Sequence, residues 1–136
     1  MARQTLREKI EDRIAAGSGD VFLSREFRDL GGKDQVLRAF RQLIRDHRLV
    51  RIGHGVYARA FTSKLTGKAV LFSAGGFIGA ARQVLDKLGV AWQPTEAQLA
   101  YNEGRSTQVP VNPAVRVTGR FSRKLRFGKI ELRIER

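Results

Sequence analysis

The segment from Ser24 to Arg59, SREFRDLGGKDQVLRAFRQLIRDHRLVRIGHGVYAR, leaves few folds open to the chain. Ser24 can cap a short helix that turns Phe27 and Leu30 inward, and Gly31-Gly32 ends it. Asp34 can cap the next helix, in which Val36, Leu37, Phe40, Leu43 and Ile44 recur at helical spacing as one apolar stripe. Two β-prone runs follow, Leu49 to Ile52 and Val56 to Arg59, joined by Gly53-His54-Gly55. Helix, turn, helix and hairpin in that order predict a winged helix-turn-helix.

The face of the second helix opposite its stripe is the informative one. At about 100° per residue, Arg38, Gln42 and Arg45 point away from the apolar side, with Gln35 and Arg41 on the flanks. Arginine can bind guanine with two hydrogen bonds and glutamine can bind adenine in the same way, so these side chains suit major-groove base edges. On the hairpin, Arg51, His54 and Arg59 are the expected backbone or minor-groove contacts of a wing. A basic helix face is also what any surface helix of a strongly basic protein would show. His54 as a metal ligand is rejected, because His47 is the only other histidine and no thiolate or carboxylate spacing completes a site.

Charge points the same way. The 136 residues carry 26 Lys and Arg against 13 Asp and Glu, a formal net charge of +13. Such an excess attracts phosphate-rich partners. From Arg105 onward nine basic residues face only Glu131 and Glu135, so +7 of the excess lies in under a quarter of the chain. The runs Val115 to Thr118, Lys124 to Phe127 and Ile130 to Ile134 alternate apolar with basic residues and predict a small antiparallel sheet, with Gly128-Lys129 as its tight turn. Arg120, Arg123, Lys124 and Arg126 are its candidate phosphate contacts, although a merely solvated basic face fits the pattern as well.

Elsewhere the reading is coarser. Thr5 and Glu8 have the form of a capping box before Leu6, Ile10 and Ile14, with Gly17 closing a first helix. Val21 to Leu23 predicts a short strand, Ala60 to Lys68 a linker, and Ala69 to Phe72 a strand. A helix is expected from about Phe77 to Leu88, stopped by Gly89, and another from Pro94-Thr95-Glu96 through Tyr101, stopped by Gly104. Residues 105–113 read as loop. The expected class is α+β, with a winged helix over 1–59 and a small α+β domain over 60–136 that ends in the antiparallel basic sheet.

Several functions find no support in the residues. Cysteine is absent, which removes disulfides and thiolate chemistry and fits a reducing cytoplasm. The most apolar run, Ala69 to Ala81, spans thirteen residues broken by three glycines, whereas a membrane helix needs ~20. No signal peptide is evident. Gly67-Lys68 lacks the rest of a P-loop, Gly75, Gly76 and Gly79 do not form a dinucleotide fingerprint, and the carboxylates do not cluster. No enzyme activity, metal or cofactor is therefore expected.

The motifs Phe27, Asp29, Leu30 and Gly31, then Leu49, Arg51, Ile52, Gly53, Gly55, Val56 and Tyr57, resemble the N-terminal winged helix of AbiEi-like antitoxins. Tyr101 through Pro110 (YNEGRSTQVP) is similar to a stretch that precedes the basic sheet in compact members. The resemblance implies a transcriptional repressor that binds repeats in double-stranded operator DNA of its own toxin–antitoxin operon. It also implies a nucleotidyltransferase-type toxin as a partner. About 77 residues follow the hairpin here, fewer than in the fuller members. A homodimer would suit repeat binding, but no heptad or large apolar helix face marks a dimer surface. The competing expectation is an RNA-binding or ribosome-associated protein, for which Phe121 and Phe127 could serve as stacking platforms. A third is a protein–protein module whose basic sheet grips an acidic partner.

Overall fold

A computed structural model describes residues 3–110 and 113–136. Residues 111 and 112 of the expected 105–113 loop lie outside the described residues. The class is α+β. Helix α1 (Leu6–Ala16) begins where the Thr5 hydroxyl accepts a hydrogen bond from the Glu8 amide at 3.1 Å, and ends at Gly17. Strand β1 (Val21–Leu23) leads into a single 3-10 turn (Ser24–Phe27), shorter than the helix expected up to Gly31-Gly32, and its N-cap is Leu23 rather than Ser24. Helix α2 (Lys33–Arg45) follows. Its N-cap is Gly32 rather than Asp34, and the Gln35 side chain accepts from the Gly32 amide at 3.4 Å. Asp34 instead sits in the first turn, where its charge favours the helix dipole.

Strands β2 (Leu49–Gly53) and β3 (Val56–Thr62) form the hairpin. Arg51 faces Tyr57 and Gly53 faces Val56, with a register shift between the two pairs. β3 runs past the expected boundary of the hairpin. Residues 60–62 pair with β4 (Ala69–Leu71), so the predicted linker is a second hairpin. Arg59 donates its amide to Asp20 and accepts from the Phe72 amide. One residue's N–H and C=O point to the same side of an antiparallel pair, which sets β1 and β4 end to end along one edge of β3. β2 occupies the other edge.

This sheet is covered on both faces. Phe22, Leu49 and Tyr57 pack with Ile10, Phe27, Val36, Ala39, Phe40 and Leu43 from the α1 and α2 side. Val21, Leu23, Val50, Ile52, Val56 and Ala58 pack on the opposite side. There they meet helix α3 (Gly76–Lys87), through Phe77, Ala80, Ala81, Val84 and Leu85, and the C-terminal strands. Strands buried on both faces read as continuous apolar runs rather than as alternation, and VFL and LV in the sequence are such runs. Asp20 ties the layers together. Its carboxylate accepts from the Ala74 amide at 3.1 Å and from Ser73 Oγ and Gln83 Nε2 at 3.3 Å each.

The remainder is β5 (Trp92–Pro94), α4 (Glu96–Asn102, capped by the Thr95 hydroxyl), β6 (Ala114–Val117), β7 (Arg126–Phe127), β8 (Ile130–Glu131) and β9 (Arg133–Glu135). The terminal sheet is not the all-antiparallel one expected. β5 pairs antiparallel to β6, but β9 pairs parallel to it, and β7 and β8 form a separate two-residue ladder. The interruption at Leu132 lets that side chain turn into the core, since its amide bonds to the Leu125 carbonyl instead of continuing a strand. No helix among the described residues is long and apolar enough to cross a membrane.

Candidate nucleic-acid interface

The hydrophobic stripe of α2 fixes which of its side chains face outward. With Val36, Ala39, Phe40 and Leu43 buried, Gln35, Arg38, Arg41 and Arg45 are exposed and Gln42 is half-buried. Arg38 and Arg41 form no ion pair among the described residues, and Arg45 only a loose one, 3.8 Å from Asp46. Asp46 is held chiefly by Arg7, whose hydrogen bond keeps its carboxyl below the ordinary aspartate value.

Tyr57 joins the helix to the hairpin. Its ring lies 4.5 Å from that of Phe40. Burial pushes the phenol above its usual pKa, while the charges of Arg51, its cross-strand partner on β2, and of Arg41 on α2 pull the other way. Arg51 thus stands on the α2 side of the sheet, next to the arginine face of the helix.

The hairpin tip is embraced by the C-terminal segment. Phe121 and Leu125 are buried and anchor residues 120–126 against the core, which leaves Arg120, Arg123, Lys124 and Arg126 outside. Gly53 makes this approach possible. A β-carbon there would stand 2.8 Å from Leu125 Cδ2 and 3.0 Å from the Lys124 carbonyl. Gly55 has a different role, since its φ of +68° sets the turn. Gly53→Ala is expected to destabilise the fold by about 1–3 kcal/mol through overpacking. Urea denaturation measures it, and a change under 0.5 kcal/mol would mean that the strap does not press on the hairpin.

Two clefts result, one on each side of the tip. Arg51, His54, Lys124 and Arg126 line one of about 480 Å³. Arg25, Arg28, Lys33, His54 and Arg123 line the other, of about 210 Å³. His54 belongs to both, and no acidic residue lines either. Several carboxylates are engaged elsewhere: Asp29 with Arg13, Glu26 with Lys87, Glu96 and Glu103 with Arg105. The result is a basic band from the strap, around the tip, to the start of α2.

Arg25, Arg28 and Lys33 were not among the residues expected from sequence. In a 3-10 turn, residues three apart eclipse one another, so Arg25 and Arg28 fall on one side. The RxxR spacing was the available signal. Arg59, expected on the wing, is placed elsewhere. It sits well back along β3 from the tip and donates to the carbonyls of Ile14 (2.6 Å), Gly17 (2.9 Å) and Gly19 (3.0 Å), with its charge 5.2 Å from the Phe22 ring. Arg120 lines neither cleft.

Among the described residues no group of three or more His, Asp or Glu side chains is placed to hold a metal ion. Phe121 is buried and offers no face for base stacking, and Phe127 is partly buried against the core. Of the exposed aromatics, Phe61 and Phe72 lie toward the far end of β3 from the tip, and Tyr101 is on α4.

No curated protein and no solved structure matches the sequence. A family model does match, over residues 8–136. That match takes in most of α1 and all of α2, the hairpin and the basic strap, and the chain belongs to the family of unknown function DUF6088.

Proposed function

We propose that α1 through β3 form a winged helix and that the protein is a sequence-specific, duplex-DNA-binding transcriptional regulator. In this reading α2 enters the major groove. Arg38, Arg41, Gln42 and Arg45 contact base edges and nearby phosphates, with Gln35 at the helix start. Arg51 and His54 carry the wing, and Arg123, Lys124 and Arg126 extend the phosphate contacts, with Arg120 beyond them. The observation that carries the reading is the basic band, in which both clefts are lined by no acidic residue, share the hairpin tip, and in one case reach the first residue of α2.

The AbiEi-like motifs extend the proposal to an autoregulator of a toxin–antitoxin-type operon that binds repeats in its own promoter, with a nucleotidyltransferase-type toxin as its counterpart. The burial of Phe121 and the partial burial of Phe127 remove the stacking platform that a single-stranded RNA reader would use beside the basic band, where no other exposed aromatic lines the clefts.

A salt-titrated binding assay tests this, with DNA from just upstream of the gene set against scrambled duplex and single-stranded RNA. A preference of ~10³-fold or more for the upstream duplex is expected. Arg38→Ala and Gln42→Ala should each cost about 1–3 kcal/mol on that duplex and little on the scrambled one. Equal binding to all three nucleic acids would overturn sequence-specific readout. An unchanged operator affinity in the double variant would place the recognition surface elsewhere.

A further inference from the structure

On the side of α3 that faces α4 and the C-terminal strands, an open cleft of about 510 Å³ joins an apolar wall to a few polar groups. Phe77, Ile78 and Ile130 supply the wall. Arg82 supplies the charge. Its guanidinium lies 4.9 Å from the centroid of the Trp92 ring, and its Nε is buried with no acceptor among the described residues. Asp86, one helical turn on, is the natural partner for this arginine. The Asp86 carboxylate instead accepts from Trp92 Nε1 at 2.8 Å, which fixes the indole under the guanidinium. Arg82 thus forms no ion pair among the described residues, and the carboxylate nearest to it in sequence is already committed to the indole.

Other groups converge on the same cleft. Gln98 donates through Nε2 to Asn102 Oδ1 at 2.8 Å, which leaves the Asn102 amide hydrogens available. The Thr95 hydroxyl accepts from the Gln98 amide and keeps its own hydrogen to donate. The first turn of α3 opens here too, behind Gly75, an N-cap with no side chain to satisfy it. Arg82, Thr95 and Asn102 thus bring donors to the cleft, beside one free acceptor, Gln98 Oε1. Binding pockets for small molecules commonly measure about 300–1,000 Å³, with apolar walls and few polar groups, and a guanidinium fork matches the two oxygens of a carboxylate or phosphate.

We propose that this cleft binds a small oxyanion, a carboxylate or a phosphate ester, carried on a flat apolar body, with Arg82 as its anchor and Asn102 and Thr95 as secondary donors. The site is separate from the basic band and does not rest on the nucleic-acid reading.

Trp92 is the only tryptophan of the chain and reports on the site through the Arg82 guanidinium stacked on it. The full chain is titrated at constant ionic strength with benzoate, phenyl phosphate and the neutral benzyl alcohol, and its tryptophan fluorescence is followed. A saturable change is expected with benzoate or phenyl phosphate, at least tenfold tighter than with benzyl alcohol. Arg82→Gln should weaken anion binding by about tenfold or more, the loss expected for one charge-assisted contact. Ile130 is 47% exposed at the rim, so Ile130→Phe can narrow the cleft without disturbing the core and should weaken binding as well. Absence of saturation with both anions would overturn the proposal. So would benzyl alcohol binding as tightly as the anions, or anion affinity unchanged in the two variants.

Discussion

Glutamine at Arg123, Lys124 and Arg126 together is expected to lower the salt dependence of duplex binding, the slope of log K against log salt, by roughly three. The three side chains are exposed, lie beside the hairpin tip and form no ion pair among the described residues. Each is thus able to displace one condensed counterion from the duplex. The loss should be the same on operator and scrambled DNA, since phosphate contacts carry no sequence information. Their backbone is anchored by Phe121 and Leu125, which the substitutions leave in place, so the melting temperature should barely move. Binding isotherms between low and physiological salt measure the slope. A slope equal to that of the parent chain would show that the strap faces solvent in the complex.

The second large effect concerns stability. Arg59→Ala should destabilise the fold by about 3 kcal/mol or more. Three charge-assisted hydrogen bonds to backbone carbonyls disappear, and the carbonyls of Ile14, Gly17 and Gly19 lose their partner at the end of α1. Lysine should rescue little, because a single ammonium cannot reproduce a planar fork that reaches three acceptors. Chemical denaturation measures the loss, and DNA affinity per folded molecule should stay within about twofold. A stable Arg59→Ala chain with lost affinity would return Arg59 to the interface.

These two arginine groups show what the sequence could and could not convey. The stripe Val36, Leu37, Phe40, Leu43 and Ile44 is periodic, so α2 and its outward arginines could be read directly, although Ala39 is buried where Leu37 and Ile44 are only partly so. The hairpin was legible through its glycines, although the reason for Gly53 was not, because its neighbours Lys124 and Leu125 lie some seventy residues away in the chain. Arg59 follows the hairpin as Arg51 begins it, and the sequence places both on one wing. Strand direction separates them, since β3 carries Arg59 away from the tip to the end of α1.

Pairing direction was the least legible property. Alternation in Val115-Arg116-Val117 indicates a strand with one buried face, but nothing local states that its partner Arg133–Glu135 runs parallel. The β3–β4 hairpin was obscured by the polar run from Thr62 to Lys68. The contribution of Arg25 and Arg28 depended on a single 3-10 turn where a longer helix was expected, and its hydrogen-bond step aligns both side chains.

The sheet with a packed layer on each face also sets how the molecule can meet a partner. A hairpin held by the helices on one side and by α3 and the strap on the other has little room to swing. The spacing between the arginines of α2, the tip and the strap is therefore set before any encounter. Such a surface matches a partner whose own charges repeat at fixed intervals, as phosphates do along a duplex, and little ordering entropy is lost on contact. Against a flexible polyanion the same rigidity confers no benefit, because the partner itself would have to be straightened to fit.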